Sequence, residues 1–328
     1  MTEAPSLKLK YLVAGVAASV LLAVIAVVAI VLVVAPASPT VAQEHQALAT
    51  TPGPAGLTAG TTPTATNTVW VTAWQPQHSL AELLSLSTGR VLNRIICQGP
   101  DGTKDDLSAT VVGTTSSLLV IGLTNHHATR TWTNVLAFYD AATGALRGYA
   151  TLPDGTIRDL NTTASGADVH VLITAGSRAA DVVVDATTVL TSTAPLTIEP
   201  TKTITLPAAT IGMVLTDDST TIDALERDGH VDVVRTSTGQ VIGRITVDPA
   251  SSRIGISNDS TVLYLLVPAA NGADSRVDLY RASIGAFIVA MDAPPHTHWI
   301  LPSANGERMV DYAGTATSGT VAQYRMLD

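Results

Sequence analysis

From residue 67 onward, short apolar runs alternate with clusters of Gly, Pro, Asp and Asn, and no helical period of 3.6 residues is visible. Many of these runs are rich in β-branched residues, as at 118–121 and 231–234. In the run 240–247, polar and apolar positions alternate, which is expected of a strand with one exposed face. The pattern predicts an all-β domain of short strands over residues 67–328.

A nine-residue motif repeats along this domain: STGRVLNRI at residues 87–95 returns as STGQVIGRI at residues 237–245. Six of the nine positions are identical, and weaker copies occur at 142–146 and 283–287. The two strong copies are about 150 residues apart, three times a period of roughly 50 residues that is typical of propellers and solenoids. We therefore interpret each copy as a turn followed by the outer strand of one repeat unit.

The strand-like runs group into six units of up to four strands, which predicts a six-bladed β-propeller. A seven-bladed ring and a β-sandwich are the alternatives. The last unit reaches Asp328 before its outer strand begins. Because the edges of a ring must be paired, we expect a piece from about residues 40–60 to supply that strand, or the last blade to keep three strands.

The N-terminal region contains a long apolar run at residues 11–34, interrupted only by Gly15 and Ser19. As a helix this run would reach roughly 36 Å, enough to cross a hydrocarbon core of about 30 Å. We predict a single transmembrane helix over residues 11–35, in contact with the lipid bilayer of the plasma membrane, and a short tail over residues 1–10.

The charges around this run set its orientation. Lys8 and Lys10 precede it, and no Lys or Arg follows before Arg90. The positive-inside rule therefore predicts a cytoplasmic N-terminus and an extracytoplasmic β domain. A signal peptide cleaved after Ala37 is the alternative. Residues 36–66 are rich in Pro, Thr, Ala and Gly, and we predict that they form a disordered linker.

Composition excludes some partners. The net charge is −9 and the chain has no cluster of Lys and Arg, which argues against a nucleic-acid partner. Cys97 is the only cysteine, so no disulfide can form within the chain. Because Cys97 lies in an apolar strand pattern, we expect a buried and unreactive thiol.

The antiparallel strand order predicts two different ends of the ring. The turns between first and second strands, and between third and outer strands, emerge at one end, here called the turn end. The remaining loops emerge at the other end, here called the loop end, and loops on a rigid scaffold concentrate binding residues. Six of the eight histidines map to the loop end, where loop 125–134 is the main contributor. We predict a ligand-binding face there, formed by Asp105, His126, His127, Trp132, His296 and His298.

Metal binding at the loop end is an open alternative. His296 and His298 would point to the same side of an extended chain, and His126 with His127 would offer a further ligand for zinc or copper. We expect solvated loop histidines instead, and predict no metal site, no cofactor and no catalytic residue. An enzyme would need carboxylates or histidines that converge on the central channel. The candidates for that role are Asp159, Asp217, Asp218 and His298.

Two units carry a family resemblance. The patterns V-x-x-x-YDAATG (Val135, then 139–144) and VVRTSTG (233–239) resemble blades of WD-repeat-like and YVTN-type β-propellers, and are similar to the propeller of pyrroloquinoline quinone enzymes. The resemblance extends over residues 67–328 and implies a fold, not an activity. The quinone enzymes usually carry Trp shortly after Thr-Gly, where this chain has Tyr149 and aliphatic residues. The Gly-His and Trp-Asp pairs of true WD repeats are also missing.

These features together predict a membrane-anchored, extracytoplasmic binding or scaffold module whose partner is a protein, peptide or glycan of the cell envelope. The alternative is a propeller enzyme, either a metal-dependent lactonase-like hydrolase or a quinone-dependent dehydrogenase. A transmembrane sensor is a third possibility, but the ten-residue tail is too short to fold and argues against it.

Overall fold

The structure is a computed structural model, and its described residues lie within the compact unit Val41–Asp328. The tail predicted at 1–10 and the transmembrane helix predicted at 11–35 are outside the described residues. Within the part of the chain that the structure describes, no helix combines the length and apolarity that a bilayer crossing requires. The described residues are 47–53, 57–61, 68–74, 78–115, 117–126, 132–192, 194–257, 259–268, 275–293, 297–302, 308–314 and 319–325.

The described strands form six sheets, numbered 1 to 6 here, in which consecutive strands are antiparallel neighbours. Sheet 1 consists of β2 (Leu57–Gly60), β3 (Thr68–Trp74), β4 (Ser79–Ser85) and β5 (Val91–Ile96). Sheet 2 consists of β6 (Leu107–Thr114), β7 (Leu118–Asn125), β8 (Asn134–Asp140) and β9 (Leu146–Leu152), with β13 (Leu196–Ile198) added at the outer edge. Sheet 3 consists of β10 (Thr156–Thr162), β11 (Asp168–Ala175), β12 (Arg178–Asp185) and β14 (Lys202–Leu206).

The second half of the chain continues the same plan. Sheet 4 consists of β15 (Thr210–Leu215), β16 (Thr221–Glu226), β17 (His230–Arg235) and β18 (Val241–Thr246). Sheet 5 consists of β19 (Arg253–Ile256), β20 (Val262–Val267), β21 (Ser275–Arg281) and β22 (Ala286–Ala293). Sheet 6 consists of β23 (Thr297–Pro302), β24 (Arg308–Gly314), β25 (Gly319–Arg325) and β1 (Ala47–Gly53). One short helix, α1 (Thr187–Thr191), precedes β13.

The first strand of each sheet contacts the first strand of the next sheet. β2 contacts β6, β6 contacts β10, and the series continues through β15 and β19 to β23. β23 in turn contacts β2. This closed order places the six first strands around a central channel, with the other strands extending outward. The prediction of an all-β propeller is therefore confirmed.

The last sheet is completed by the N-terminal part of the domain. β1 pairs antiparallel with β25, with Thr51 opposite Val321, so the predicted N-terminal closing strand is confirmed. The prediction of a disordered linker over 36–66 is wrong for β1 and β2, and the domain begins before residue 67. Composition suggested too little apolar burial to order this segment, but its backbone groups pair with distant strands, which offsets the ordering cost.

The repeated motif forms the turn between the third and outer strands. Gly89 and Gly239 have φ angles of 70° and 71°, a left-handed conformation that favours glycine. The N–H of Gly89 donates to the carbonyl of Ser85 at 2.8 Å, and the N–H of Gly239 donates to Arg235 at the same distance. The motif is therefore a local turn signal, as predicted.

The same motif also joins neighbouring sheets. A Cβ at Gly285 in sheet 5 would lie 2.8 Å from Ile245 of sheet 4, and a Cβ at Gly144 in sheet 2 would lie 3.1 Å from Ile95 of sheet 1. The turn glycines of sheets 2 and 5 thus pack on the outer-strand isoleucine of the preceding sheet. Ile95 and Ile245, which both strong copies of the motif share, are one half of this contact between sheets.

The alternation expected in the outer strand holds only in part. Ile245 and Val247 are buried, but Val241 is 43 % exposed and Ile242 is 46 % exposed. A register shift at Val233/Val234 places an extra residue in β18 immediately after the turn. This bulge changes which face the first residues present, so simple alternation fails there.

The core is divided among the interfaces between sheets. One cluster joins Val214 and Leu225 of sheet 4 to Ile254 and Leu265 of sheet 5. Cys97 belongs to the largest cluster and is fully buried. The expected burial of this cysteine is therefore confirmed, and burial raises the pKa of its thiol to about 12.

Candidate functional site

The structure describes four of the six residues predicted for the ligand face; His127 and His296 are outside the described residues. Nε2 of His126 lies 2.7 Å from the hydroxyl of Ser108, and its backbone N–H donates to Asp106 at 3.0 Å. Asp105 pairs with His78 in an isolated bridge. These groups lie close together in the loops of sheets 1 and 2, so His126 and Asp105 occupy one region of the loop end.

Trp132 and His298 have other surroundings. The Trp132 ring lies over Gly99, where a Cβ would be 2.3 Å from the ring, and the side chain packs against the core. The indole is therefore largely a packing group. His298 is exposed near the start of β23 in sheet 6, and its carbonyl accepts a hydrogen bond from Nε of Arg253 at 3.3 Å. No group of three His, Cys, Asp or Glu residues suited to a metal ion occurs in the described part of the chain.

A cavity of about 490 Å³ lies inside the ring of first strands. Its lining comes from β2, β6, β10, β15, β19 and β23, and extends into the turns that follow β10, β15 and β19. Those turns belong to the turn end, opposite the predicted ligand face. This cavity is thus on the side of the ring for which the sequence predicted no ligand site, and the loop-end face stays a prediction.

The polar part of the cavity lining consists of hydroxyl groups, one side-chain amide and two carboxylates. Two carboxylates, Asp159 and Asp217, are in the lining, and none of the described lining residues is Lys, Arg or His. Asp159 and Asp217 are two of the four candidates that the enzyme alternative required. The polar lining residues also include Thr61, Thr114, Thr115, Asn161, Thr162, Thr163, Thr216 and Ser257.

Asp159 is the buried acid of the cavity, with only 5 % of its surface exposed. One carboxylate oxygen accepts the N–H of Met213 at 3.2 Å, and the other accepts the N–H of Leu160 at 3.0 Å. Burial raises the pKa of Asp159 to about 7, against the opposing positive charge of Arg253. A Cβ on Gly212 would lie at an ordinary contact distance of 3.7 Å from the carboxylate, so Gly212 is a direct neighbour of the acid.

The strand position of Asp159 shows that the fold does not require this acid. In five sheets the first strand carries a register shift against the second strand, and Asp159 follows the shift in sheet 3. The equivalent residues in sheets 1, 2, 4 and 6 are Ala59, Val111, Gly212 and Trp299. Bulges often re-aim a side chain beside a functional site. A carboxylate at this position is therefore specific to sheet 3.

Arg253 is the nearest basic residue that acts on Asp159. Its guanidinium lies 4.2 Å from the centre of the Trp299 ring, a cation–π contact, and its Nε donates to the carbonyl of His298. Burial lowers the pKa of Arg253, and the charge of Asp159 opposes that shift. Arg253 is thus held on the aromatic wall beside the cavity.

A second repeat shapes the cavity mouth and was missed by the sequence reasoning. The turns TDDST (216–220) and SNDST (257–261) each place an Asp at the third position. Asp218 accepts the N–H of Thr220 at 3.0 Å, and Asp259 accepts the N–H of Thr261 at 3.1 Å. The signal was the recurrence of a hydroxyl residue two positions before D-S-T, which marks the turn after a first strand.

Comparison with known proteins supports the fold. The β-propeller domain of Cps50 (Swd1) from Myceliophteria thermophila is similar, with a TM-score of 0.55 and 9 % sequence identity; the match covers 87 % of this chain and all of that one. No family model and no curated protein matches the chain. At this identity the similarity shows the fold alone. The chain has a WD-repeat-like β-propeller fold.

Proposed function

We propose that this protein is a membrane-anchored, extracytoplasmic six-bladed propeller that binds a segment of a partner protein, and that the segment enters the central cavity at the turn end. The observation that carries the proposal is the cavity itself. Its volume of about 490 Å³ lies within the usual range of ligand sites. Its wall holds a buried carboxylate, Asp159, at a position where four other sheets have Ala, Val, Gly or Trp.

The partner is a protein segment in this proposal because the cavity is small and opens among rigid turns. Asp218 and Asp259 hold two of those turns through hydrogen bonds of 2.6 to 3.1 Å. Such a mouth is preorganised, which lowers the entropic cost of binding an extended peptide. The WD-repeat-like fold is compatible with binding a protein. A glycan partner, the other possibility that the sequence left open, is tested below with glucosamine.

Site-specific photo-crosslinking in cells tests which end binds the partner. A benzophenone amino acid would replace Ala164, an exposed residue of the cavity lining, in the full-length protein. Matched positions are Lys104, exposed at the loop end, and Ser237, exposed on the outer rim of the turn end. We expect a protein adduct from position 164 alone. An adduct from position 104 alone would move the site to the loop end, and no adduct from any position would overturn the binding proposal.

The membrane topology is part of the proposal and rests on residues 11–35, Lys8 and Lys10. Cys97 is fully buried, so a cysteine placed at exposed Ser237 would be the only accessible thiol of the described domain. We expect a membrane-impermeant maleimide to label Ser237→Cys in intact cells. Labelling only after lysis would contradict an extracytoplasmic propeller.

A further inference from the structure

The charge of the central cavity suggests what enters it. Its described lining carries Asp159 and Asp217 and no basic residue. Arg253, the basic side chain that influences Asp159 from a neighbouring strand, already stacks on Trp299 and donates to His298. The two side chains do not form a direct ion pair, so among the described residues the buried acid has no close counter-ion.

The acid also has unused hydrogen-bonding capacity. A carboxylate offers about four acceptor positions, and backbone N–H groups occupy two of those on Asp159. A cation that approaches through the cavity would find the remaining positions on the cavity side of β10. The hydroxyl of Thr162 lies in the same lining; it donates to the carbonyl of Thr114 at 3.1 Å and keeps its oxygen as an acceptor for an N–H donor.

The shape of the cavity favours an ammonium on a flexible stem over a bare metal ion. About 490 Å³ is far more than an ion occupies, and apolar wall residues such as Val111, Val214 and Ile254 would contact a hydrocarbon stem. Lysine has this form: a compact, strongly hydrated charge on four methylene groups. The lysine stem would cover the apolar wall while its charge meets the acid.

We infer that the central cavity receives a lysine side chain of the partner segment, with the Asp159 carboxylate as counter-ion. The inference rests on the proposed function, because it names the group that the bound segment inserts. An ammonium beside Asp159 would favour the ionised carboxylate. Arg253 on β19 is the charged group that acts on Asp159, Arg158 acts on Arg253, and β15 contributes the N–H of Met213.

The electrostatics predict a pH dependence of binding. Burial raises the pKa of Asp159 to about 7 in the free protein, and a bound ammonium would lower it. Binding at pH 6 to 7 should therefore release a proton, and the affinity should increase as the pH rises from 6 to 8. Proton release is measured by calorimetry in two buffers that differ in ionisation enthalpy.

The direct test uses the full-length protein in nanodiscs and three probes of one size: the N-acetyl methylamides of lysine, norleucine and glutamate. We expect the lysine probe alone to bind, and Asp159→Asn to weaken it at least about tenfold, because a hydrogen-bonded ion pair is lost. Glu199→Gln removes the same charge from an exposed residue outside the lining and outside its turns, and should leave the affinity within about twofold.

Each other outcome overturns the inference. Equal binding of the norleucine probe would show that the site recognises only an apolar stem. An equal loss of affinity in both variants would show that the lysine probe responds only to the overall negative charge of the protein. Binding of glucosamine in place of the lysine probe would assign the cavity to a glycan. A protein adduct from position 164 without lysine binding would refute the lysine and leave the proposed function standing, whereas absence of both would refute both. If Asp159→Asn does not fold, absence of proton release in the native protein decides against the inference.

Discussion

Sheets 3 and 4 are neighbours with the same four-strand plan, yet they treat the repeat differently. Sheet 4 follows the repeat: Gly212 stands beside the channel, and a short turn with Gly239 leads to the outer strand. Sheet 3 departs from it at the first strand, in its middle strands and in the connection to its outer strand. Residues shared by the two sheets are those that the fold requires, and residues found only in sheet 3 are those that it tolerates.

The connection to the outer strand shows the contrast most plainly. In sheet 4 the turn glycine packs on Ile204 of sheet 3, at 3.5 Å for a Cβ. In sheet 3 the residues 186–201 replace the turn and contain α1 and β13. β13 pairs in parallel with β9 of sheet 2, with Leu196 opposite Gly148. An added strand thus takes the role that a turn glycine has elsewhere, and binds sheet 3 to sheet 2.

The middle strands differ in how they carry an acid. In sheet 4, Asp232 receives two hydrogen bonds from Arg244, at 2.6 and 2.7 Å, and the arginine side chain is 54 % exposed. In sheet 3, Asp181 lies 2.6 Å from Nδ1 of His170, and both side chains are buried. Burial raises the pKa of Asp181 while the histidine opposes the shift. The buried acid Asp181 therefore depends on its hydrogen-bond partner His170 more than Asp232 depends on Arg244.

The largest expected effect follows from that pair. His170→Ala leaves the buried Asp181 without its partner, and we expect the free energy of unfolding to fall by roughly 3–5 kcal/mol in urea titrations. The matched change in sheet 4, Arg244→Ala, should cost much less, because water reaches its site. Equal losses in the two variants would show that burial does not distinguish the sheets. His170→Leu combined with Asp181→Leu should recover most of the stability.

The next effect concerns the first strands and depends on pH. The folded carboxyl of Asp159 keeps its proton up to about pH 7, whereas an unfolded Asp releases it near pH 4, so wild-type stability falls over this interval. Relative to wild type, Asp159→Asn should therefore gain on the order of 4 kcal/mol of stability between pH 4 and pH 8, because asparagine has no charge to bury at either pH. Thermal unfolding across this range measures the difference.

The control for this prediction has the opposite sign. Hydrogen bonds from Thr220 and Thr216 in the sheet 4 turn lower the pKa of Asp218, so its contribution is present above the unfolded pKa and is lost as the pH falls. Asp218→Asn should therefore be less stable than wild type at pH 8, and the gap should close in acid. The same pH trend in both variants would contradict the assignment of a buried acid in sheet 3.

A smaller effect tests the added strand. A Cβ at Gly148 would lie 2.6 Å from the carbonyl oxygen of Leu196, so Gly148→Ala should displace β13 and cost about 1–3 kcal/mol. Gly243 occupies the same position in sheet 4, where a Cβ would be at an ordinary 3.5 Å from Val233. Gly243→Ala should change stability by about 0.5 kcal/mol or less. Hydrogen exchange at Thr197 and Ile198 should accelerate in the first variant only.

The smallest effect compares two regular turns. Gly239→Ala meets only its left-handed φ of 71°, and we expect a loss of about 1 kcal/mol. Gly285→Ala meets a φ of 64° and also Ile245, 2.8 Å from the new Cβ, so its loss should be roughly twice as large. Urea titration of both variants decides. A larger loss at Gly239 would refute the role of the turn glycine in packing neighbouring sheets.

Local signals explain which predictions succeeded. Thr-Gly turns and β-branched runs act within a few residues, so they indicated the strands, the turns and the propeller from the sequence. The bulge after each such turn is also local, but nothing in the composition of β18 distinguishes Val241 from Ile245, and the exposed start of the outer strand was missed. The D-S-T turns at 218–220 and 259–261 were visible in the sequence and were overlooked.

The candidate site was predicted less well, because its geometry joins distant segments. Asp159 was noted as a channel residue, but its surroundings come from β15, where the N–H of Met213 donates to it, more than fifty positions away. The histidine-rich loops drew attention because side-chain chemistry is readable in sequence. A cavity is not, since it is the space left between six strands.

By itself the sequence determined the repeat, the conformation of its turns and the all-β character of the domain, because these depend on neighbours along the chain. The tertiary structure decided that β1 closes the ring beside β25, that β13 crosses from sheet 3 to sheet 2, and that the cavity lies at the turn end. Each of these depends on pairing or packing between segments far apart in sequence. There the stabilising free energy comes from contacts with the distant segment and not from the local conformational preference of the segment itself.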